Sequence, residues 1–332
     1  MSEKEKTKGG KGLSFSQEGI VFLLTLALFV AFSIILPNFL TSGNVIALMR
    51  SVSILGMLAL GMSLVVIGRG VDLTMVATLV VGVVWAVKLT NDGMPFGEAL
   101  FYGGLLVSAF GLIVGLIVAF AEIPPIFTTL AMAPVIFGIG NPFLFKQDTH
   151  NAPRNVEWLG DLGFGATLGI PNTILVFGLV ALVIHLILRY TRFGRSIYAM
   201  GDNPLAARMT GLPLRPIIVS QYIMTALVAY LVGLVILASN SGINSRLAYT
   251  TLVYDVLLVV VLGGIGLSGG RGGVRNVIVG TLFVGTLLSG MTILNLSLTA
   301  QNLIKSVVMM LALIADTLVN PRDEQTSQQG DI

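Results

Sequence analysis

Apolar residues in this chain come in runs rather than in alternation. Stretches of about 20 residues with almost no charge recur from one end to the other, each long enough to cross roughly 30 Å of hydrocarbon as a helix. Spans are predicted near 19–36, 44–67, 72–89, 99–121, 126–145, 172–190, 217–239, 251–267, 274–294 and 301–319. The runs lack the period-two pattern of barrel strands, and a backbone in lipid must satisfy its own polar groups, so the spans are helical. The expectation is an all-α polytopic membrane helix bundle of about ten transmembrane helices. A single transmembrane domain covers 19–319, between polar tails at 1–18 and 320–332.

Composition agrees: 55% of residues are hydrophobic and 11% charged, against roughly 25% charged in a soluble domain. The net charge of +3 does not point to nucleic acid, because the basic residues are scattered among loops with no aromatic-basic surface. They report topology instead. With the N-terminus inside, only Arg50, Lys88, Lys146, Arg154, Arg246 and Lys305 of the 19 Lys and Arg residues fall elsewhere than on the cytoplasmic side. The chain is thus expected N-in and C-in, and the tail MSEKEKTKGGKGLSFSQE, without a cleavage motif, is a retained cytoplasmic segment. No cysteine is present, which excludes thiolate chemistry, and no G-x-x-x-x-G-K-[ST] loop is present. Any ATP must be used by another protein.

Two loops exceed the others in length. The outer one, 146–171, holds Trp158, Phe164 and several Gly and Pro residues, and is expected to be a compact irregular segment over an entrance. The inner one, 189–216, carries five arginines. Within it, Asn203 can cap free N–H groups and Pro204 suits the first helical position, while Gly211 can end a helix left-handed and Pro213 blocks its continuation. A helix of about two turns is marginal alone in water, so a partner protein is expected to hold it.

The run TRFGRSIYAMGDNPLAARMTG at 191–211 resembles the cytoplasmic loop of permease subunits in the ribose, xylose and arabinose class of ABC sugar importers. VLGGIGLSGGRGGV at 261–274 is similar to that family's glycine-rich segment, and GVDLT at 70–74 to its acidic segment. In the E-A-A-x-x-x-G pattern of importer permeases, Leu205, Ala206, Ala207 and Gly211 take the places, with Leu205 in the glutamate position. The resemblance implies a coupling helix, bounded by Asn203 and Gly211 and carrying Arg208, that enters a groove on an ATP-binding subunit. The two alanines are expected to mark its contact side. It also implies a second permease copy or similar chain, two ATP-binding subunits that use ATP and Mg, an extracytoplasmic solute-binding protein, residence in the inner membrane and a monosaccharide-like cargo. No cofactor belongs to this chain itself.

Acids in or beside spans are costly and tend to face cavities or boundaries. Asp72 follows Arg69 by three residues, so the two are expected to pair on a helical face or, alternatively, to leave Asp72 for the solute. Asp255 has no charged neighbour in sequence, and Val253 stands where the family has Glu. Asn141-Pro142, with Pro134, is expected to break the fifth helix and expose backbone groups to a water-filled path. Asp72, Asn141 and Asp255 are therefore the candidate translocation residues. Gly111 and Gly115 form a close-packing pair. Gly266, Ser268 and Gly270 match G-x-S-x-G, but His150 and His185 both lie upstream and a soluble α/β sheet is missing, so the match does not point to a hydrolase. An ion-coupled secondary transporter using Asp72 or Asp255 is the alternative function.

Overall fold

The computed structural model describes residues 17–144, 148–153 and 156–319, the side chains of 141–144 and 318–319 apart. The tails before and after, and the side chain of Asn141, lie outside the described residues. The apolar runs become α1 (Gln17–Ile35), α2 (Ser42–Ile67), α3 (Met75–Asn91), α4 (Phe96–Phe120) and α5 (Pro125–Leu144). After a connecting segment containing α6 (Glu157–Phe164) come α7 (Asn172–Tyr190), α8 (Arg192–Asp202), α9 (Pro204–Met209), α10 (Leu214–Ser239), α11 (Leu252–Leu262), α12 (Val274–Ile293) and α13 (Leu298–Val319). Seven of these are long and apolar enough to cross a membrane: α1, α2, α4, α7, α10, α12 and α13. Three shorter apolar helices, α3, α5 and α11, accompany them. The protein is an all-α membrane bundle.

Burial sorts the helices into a centre and a rim. α2 is buried continuously from Leu55 to Ile67, with only Ser63 polar in that stretch, the behaviour of a core helix. α10 is its central partner, with Tyr222, Ala229 and Val235 all enclosed. α1, α7 and α13 instead leave Phe22, Leu24, Leu179, Leu182, Leu303 and Met310 exposed, an apolar rim suited to a lipid surrounding. The glycine pair on α4 does what its spacing predicts. A Cβ on Gly111 would stand 2.7 Å from the Tyr222 carbonyl oxygen, and one on Gly115 2.8 Å from the Val219 Cα. α4 and α10 touch backbone to backbone there.

Three expectations need correction. α5 is helical through residue 144, so Pro134 and Asn141-Pro142 do not break it. A proline removes one ladder bond and neighbouring helices can tolerate the loss. The span placed at 251–267 is helical only to Leu262, because glycines follow, and Gly264, Gly269, Gly270 and Gly272 adopt positive φ. The described part of the 146–171 segment is more ordered than its composition suggests. Strand β1 (Thr149–Asn151) pairs antiparallel with β4 (Gly242–Asn244), and β2 (Ala166–Thr167) with β3 (Ile170–Pro171). α6 lies against the end of α10, where a Cβ on Gly163 would be 2.1 Å from the Ala238 carbonyl oxygen.

Ion pairs join loops that the ten-crossing scheme puts on a common side. Glu18 meets Arg275 at 3.3 Å and Glu122 meets Arg215 at 3.1 Å on one face, and Asp148 meets Arg246 at 2.7 Å on the other.

Candidate functional site

The loop between α7 and α10 folds into two helices, not one. Thr191 starts α8, its Oγ1 accepting from the Gly194 N–H at 3.0 Å. Phe193, Ile197 and Met200, at helical spacing, turn inward, with Ile197 and Met200 fully buried. Asn203 then starts α9, its Oδ1 accepting from the Ala206 N–H at 3.0 Å, with Pro204 in the first turn. Gly211, at φ 81°, ends it, while the Leu212 N–H reaches back to the Ala207 carbonyl at 3.2 Å. Both caps are those the sequence specifies.

The contact side differs from the expectation. Ala207 is buried against the chain's own residues, only 4% exposed, so it anchors α9 rather than facing outward. The free side is formed by Leu205, Ala206, Arg208 and Met209, with Leu205 56% and Met209 89% exposed. Two large apolar side chains are thus left exposed side by side on a capped six-residue helix.

The three motifs that are far apart in sequence meet beside α8. The Gly270 N–H donates to the Ile67 carbonyl at 2.8 Å, closing the glycine-rich segment onto the end of α2. The Tyr198 hydroxyl donates to the Gly272 carbonyl at 2.7 Å, and burial pushes this phenol above its ordinary pKa. Gly201 sits where a Cβ would be 1.9 Å from the Ile67 carbonyl oxygen, so α8 approaches α2 with no room for a side chain. Arg69 bridges the remaining gap with two bonds to α8: Nε to the Gly201 carbonyl and Nη2 to that of Asp202, each 2.7 Å. Burial draws the Arg69 pKa down, opposed by the Asp202 carboxylate.

Arg69 therefore does not pair with Asp72, which corrects that expectation. Arg69 has φ 69°, so the chain is not helical there and the three-residue spacing puts the two side chains on no common face. Asp72 is buried, and its carboxylate accepts from both the backbone N–H and the hydroxyl of Thr74, shaping the turn into α3. Asp255 also has a partner that its local sequence does not show. Lys305, on α13, lies 2.7 Å away, with the two side chains 13% and 10% exposed. Asp255 borders two neighbouring clefts, one of them shared with Lys305, Thr251 and Asn302. The signal in sequence was a lone lysine inside the last apolar span, opposite in charge to the acid in α11. For α8 it was the inward spacing of Phe193, Ile197 and Met200. Among the described residues no cluster of His, Asp and Glu could hold a metal ion.

The family model for the branched-chain amino acid transport system / permease component matches residues 44–314. The chain is 30% identical over 307 residues to the ribose import permease protein RbsC of Escherichia coli, covering 92% of this chain and 95% of that protein. It is 31% identical to the ribose import permease protein of Bacillus subtilis, over 89% and 91% of the two chains. To the L-arabinose ABC transporter permease protein AraH of Azospirillum brasilense it is 32% identical, over 94% and 90%. No solved structure matches the chain.

Proposed function

The chain belongs to the branched-chain amino acid transport system / permease component family, and from that premise we propose that it moves a monosaccharide of the ribose or arabinose kind across the inner membrane. It is the transmembrane permease of an ABC importer, a multi-pass protein that forms the translocation path. Ten crossings, made by the seven long helices and the three short ones, put both termini and α9 on the cytoplasmic side. Two permease chains stand over two ATP-binding subunits, with an extracytoplasmic binding protein delivering solute to the opposite face. ATP and Mg are consumed below; this chain holds neither.

The observation that carries the coupling role is the exposed pair Leu205 and Met209 on a helix capped at both ends and tied through Arg69 to the turn between α2 and α3. A helix of this kind fits a groove as an apolar knob. Asn203, Leu205, Ala206, Ala207, Arg208 and Gly211 form the element; Asp255 lies by the path, with Asp72 supporting the bundle. Ion-coupled transport is disfavoured, because Lys305 already neutralises the best candidate carrier, Asp255. The test is reconstitution in proteoliposomes with the cognate ATPase and binding protein. Uptake of labelled ribose or arabinose should require ATP and survive collapse of ion gradients. Uptake that instead needs a sodium or proton gradient and no ATPase overturns the proposal.

A further inference from the structure

On the face away from α9, the first half of α2, the end of α10 and the start of α11 enclose a cleft of 450 Å³. Its polar lining is Arg50, Ser51, Ser239, Asn240 and Asp255. Pockets for small ligands run roughly 300–1,000 Å³, so the space suits a single small solute. Arg50 lies eight residues beyond Ser42, about 12 Å along α2, at a depth where a cation exposed to lipid is costly and usually belongs to a path.

Two atoms in this wall are unusual. Arg50 Nε and Ser239 Oγ are both closed off from solvent and both lack a hydrogen-bond partner. Buried polar atoms are nearly always paired, and these two belong to different helices bordering one cleft. Ser239 is itself a lining residue of the cleft, with its hydroxyl unpaired. Arg50 is steadied on one side by the Phe164 ring of α6, 5.7 Å from the guanidinium carbon. Asp255 is already matched in charge by Lys305, yet a carboxylate offers about four lone-pair sites and retains capacity to accept.

We propose that this cleft is a contact site for a polyhydroxylated solute, with Arg50 donating to its hydroxyl oxygens, Ser239 exchanging hydrogen bonds with them and Asp255 accepting from them. The lining alternates donor, acceptor and hydroxyl, and only a ligand whose groups both donate and accept answers all of it. Leu252 and Leu288, with Ile46, Ile54 and Leu55, supply apolar wall that suits the C–H face of a sugar ring. The inference deepens the transport function proposed above and rests on it for the identity of the solute.

Because the chain has no cysteine, Ser239→Cys supplies a single thiol for a test independent of transport. In purified protein, saturating ribose or arabinose should slow labelling of that thiol severalfold and leave labelling of Gly160→Cys, in α6, unchanged. In proteoliposomes, Ser239→Ala should lower uptake of the parent pentose about fivefold, the worth of one neutral hydrogen bond. Its uptake of the deoxy analogue lacking the matched hydroxyl should stay at the wild-type level. Equal labelling with and without pentose, or equal losses for the pentose and every deoxy analogue, overturns the site. Protection of the thiol together with ATP-independent uptake keeps the site and overturns the ABC mechanism instead.

Discussion

The guanidinium of Arg69 holds the backbone of Asp202, its Nη2 2.7 Å from that carbonyl oxygen. Asp202 is the residue before the Asn203 cap, so the turn joining α2 to α3 is fastened to the root of α9. α2 in turn is buried from Leu55 to Ile67 in the middle of the bundle. Two charge-assisted bonds, rather than a flexible loop alone, thus link the root of α9 to the end of a core helix.

Arg69→Gln removes the fork that makes both bonds while keeping most of the side chain's length. Hydrogen bonds to charged groups contribute about 1.5–3 kcal/mol each. The variant should insert and bind its ATPase normally, hydrolyse ATP, and import severalfold less solute per ATP. The ratio of uptake to hydrolysis in proteoliposomes is the measurement, and an unchanged ratio removes Arg69 from the coupling path.

Gly111→Val should destabilise the bundle. The added Cβ meets the backbone oxygen of Tyr222 at 2.7 Å, and a backbone on a central helix cannot turn aside. Overpacking of this kind costs typically 1–3 kcal/mol. Gly104→Ala, whose nearest neighbour would be 4.0 Å away, is the matched control and should keep the wild-type melting temperature in detergent. Equal melting of the two variants would show that α4 and α10 are not in intimate contact.

Local signals were readable in the sequence and long-range ones were not. Asn203, Pro204 and Gly211 act through bonds spanning a few residues, so the caps of α9 could be placed from the chain alone. The pairing of Asp255 with Lys305 joins positions 50 residues apart, and the bonds of Arg69 to Gly201 and Asp202 span 132 and 133. Spacing in sequence carries no information about such contacts. Arg69 and Asp72 were misread for a related reason: a three-residue interval implies a shared face only if the chain is helical, and a φ of 69° at Arg69 ends that premise. Ala207 was misassigned because a small residue suits an internal contact as well as an external one.

Lys305→Met should be more harmful than the double change with Asp255→Asn. The pair is 2.7 Å apart and nearly enclosed, and removing one partner of a buried pair costs about 3–5 kcal/mol, because the other is left charged and unpaired. Neutralising both should restore much of the lost melting temperature. Additive losses in the double variant would mean that the two side chains stabilise the bundle independently.

The absence of cysteine also makes topology measurable. An impermeant thiol reagent added to intact cells should label Gly160→Cys in α6 and spare Asp202→Cys beside α9. The opposite pattern would invert the orientation and place α9 out of reach of any cytoplasmic ATPase.

The docking of α9 is best tested on its free side. Leu205 and Met209 are 56% and 89% exposed, whereas Ala207 is 4% exposed and already packed within the chain. Substitutions on the two sides should therefore fail in different ways. Ala207→Glu introduces volume and charge into the permease's own packing and should lower its yield in the membrane. Leu205→Asp and Met209→Asp leave that packing untouched and should reach the membrane in normal amounts. What they remove is apolar area for the partner, worth about 1.5–3 kcal/mol for each large side chain fully buried, or roughly tenfold to a hundredfold in association. Each should therefore lose most of its co-purifying ATPase and its ATP-dependent uptake, and the pair together should lose nearly all. Arg208→Gln, which changes charge without removing an apolar knob, should have a smaller effect that diminishes at high salt. Full retention of the ATPase by the Leu205→Asp, Met209→Asp double variant would show that the partner grips another part of this face, and the exposed side of α9 would lose its assigned role.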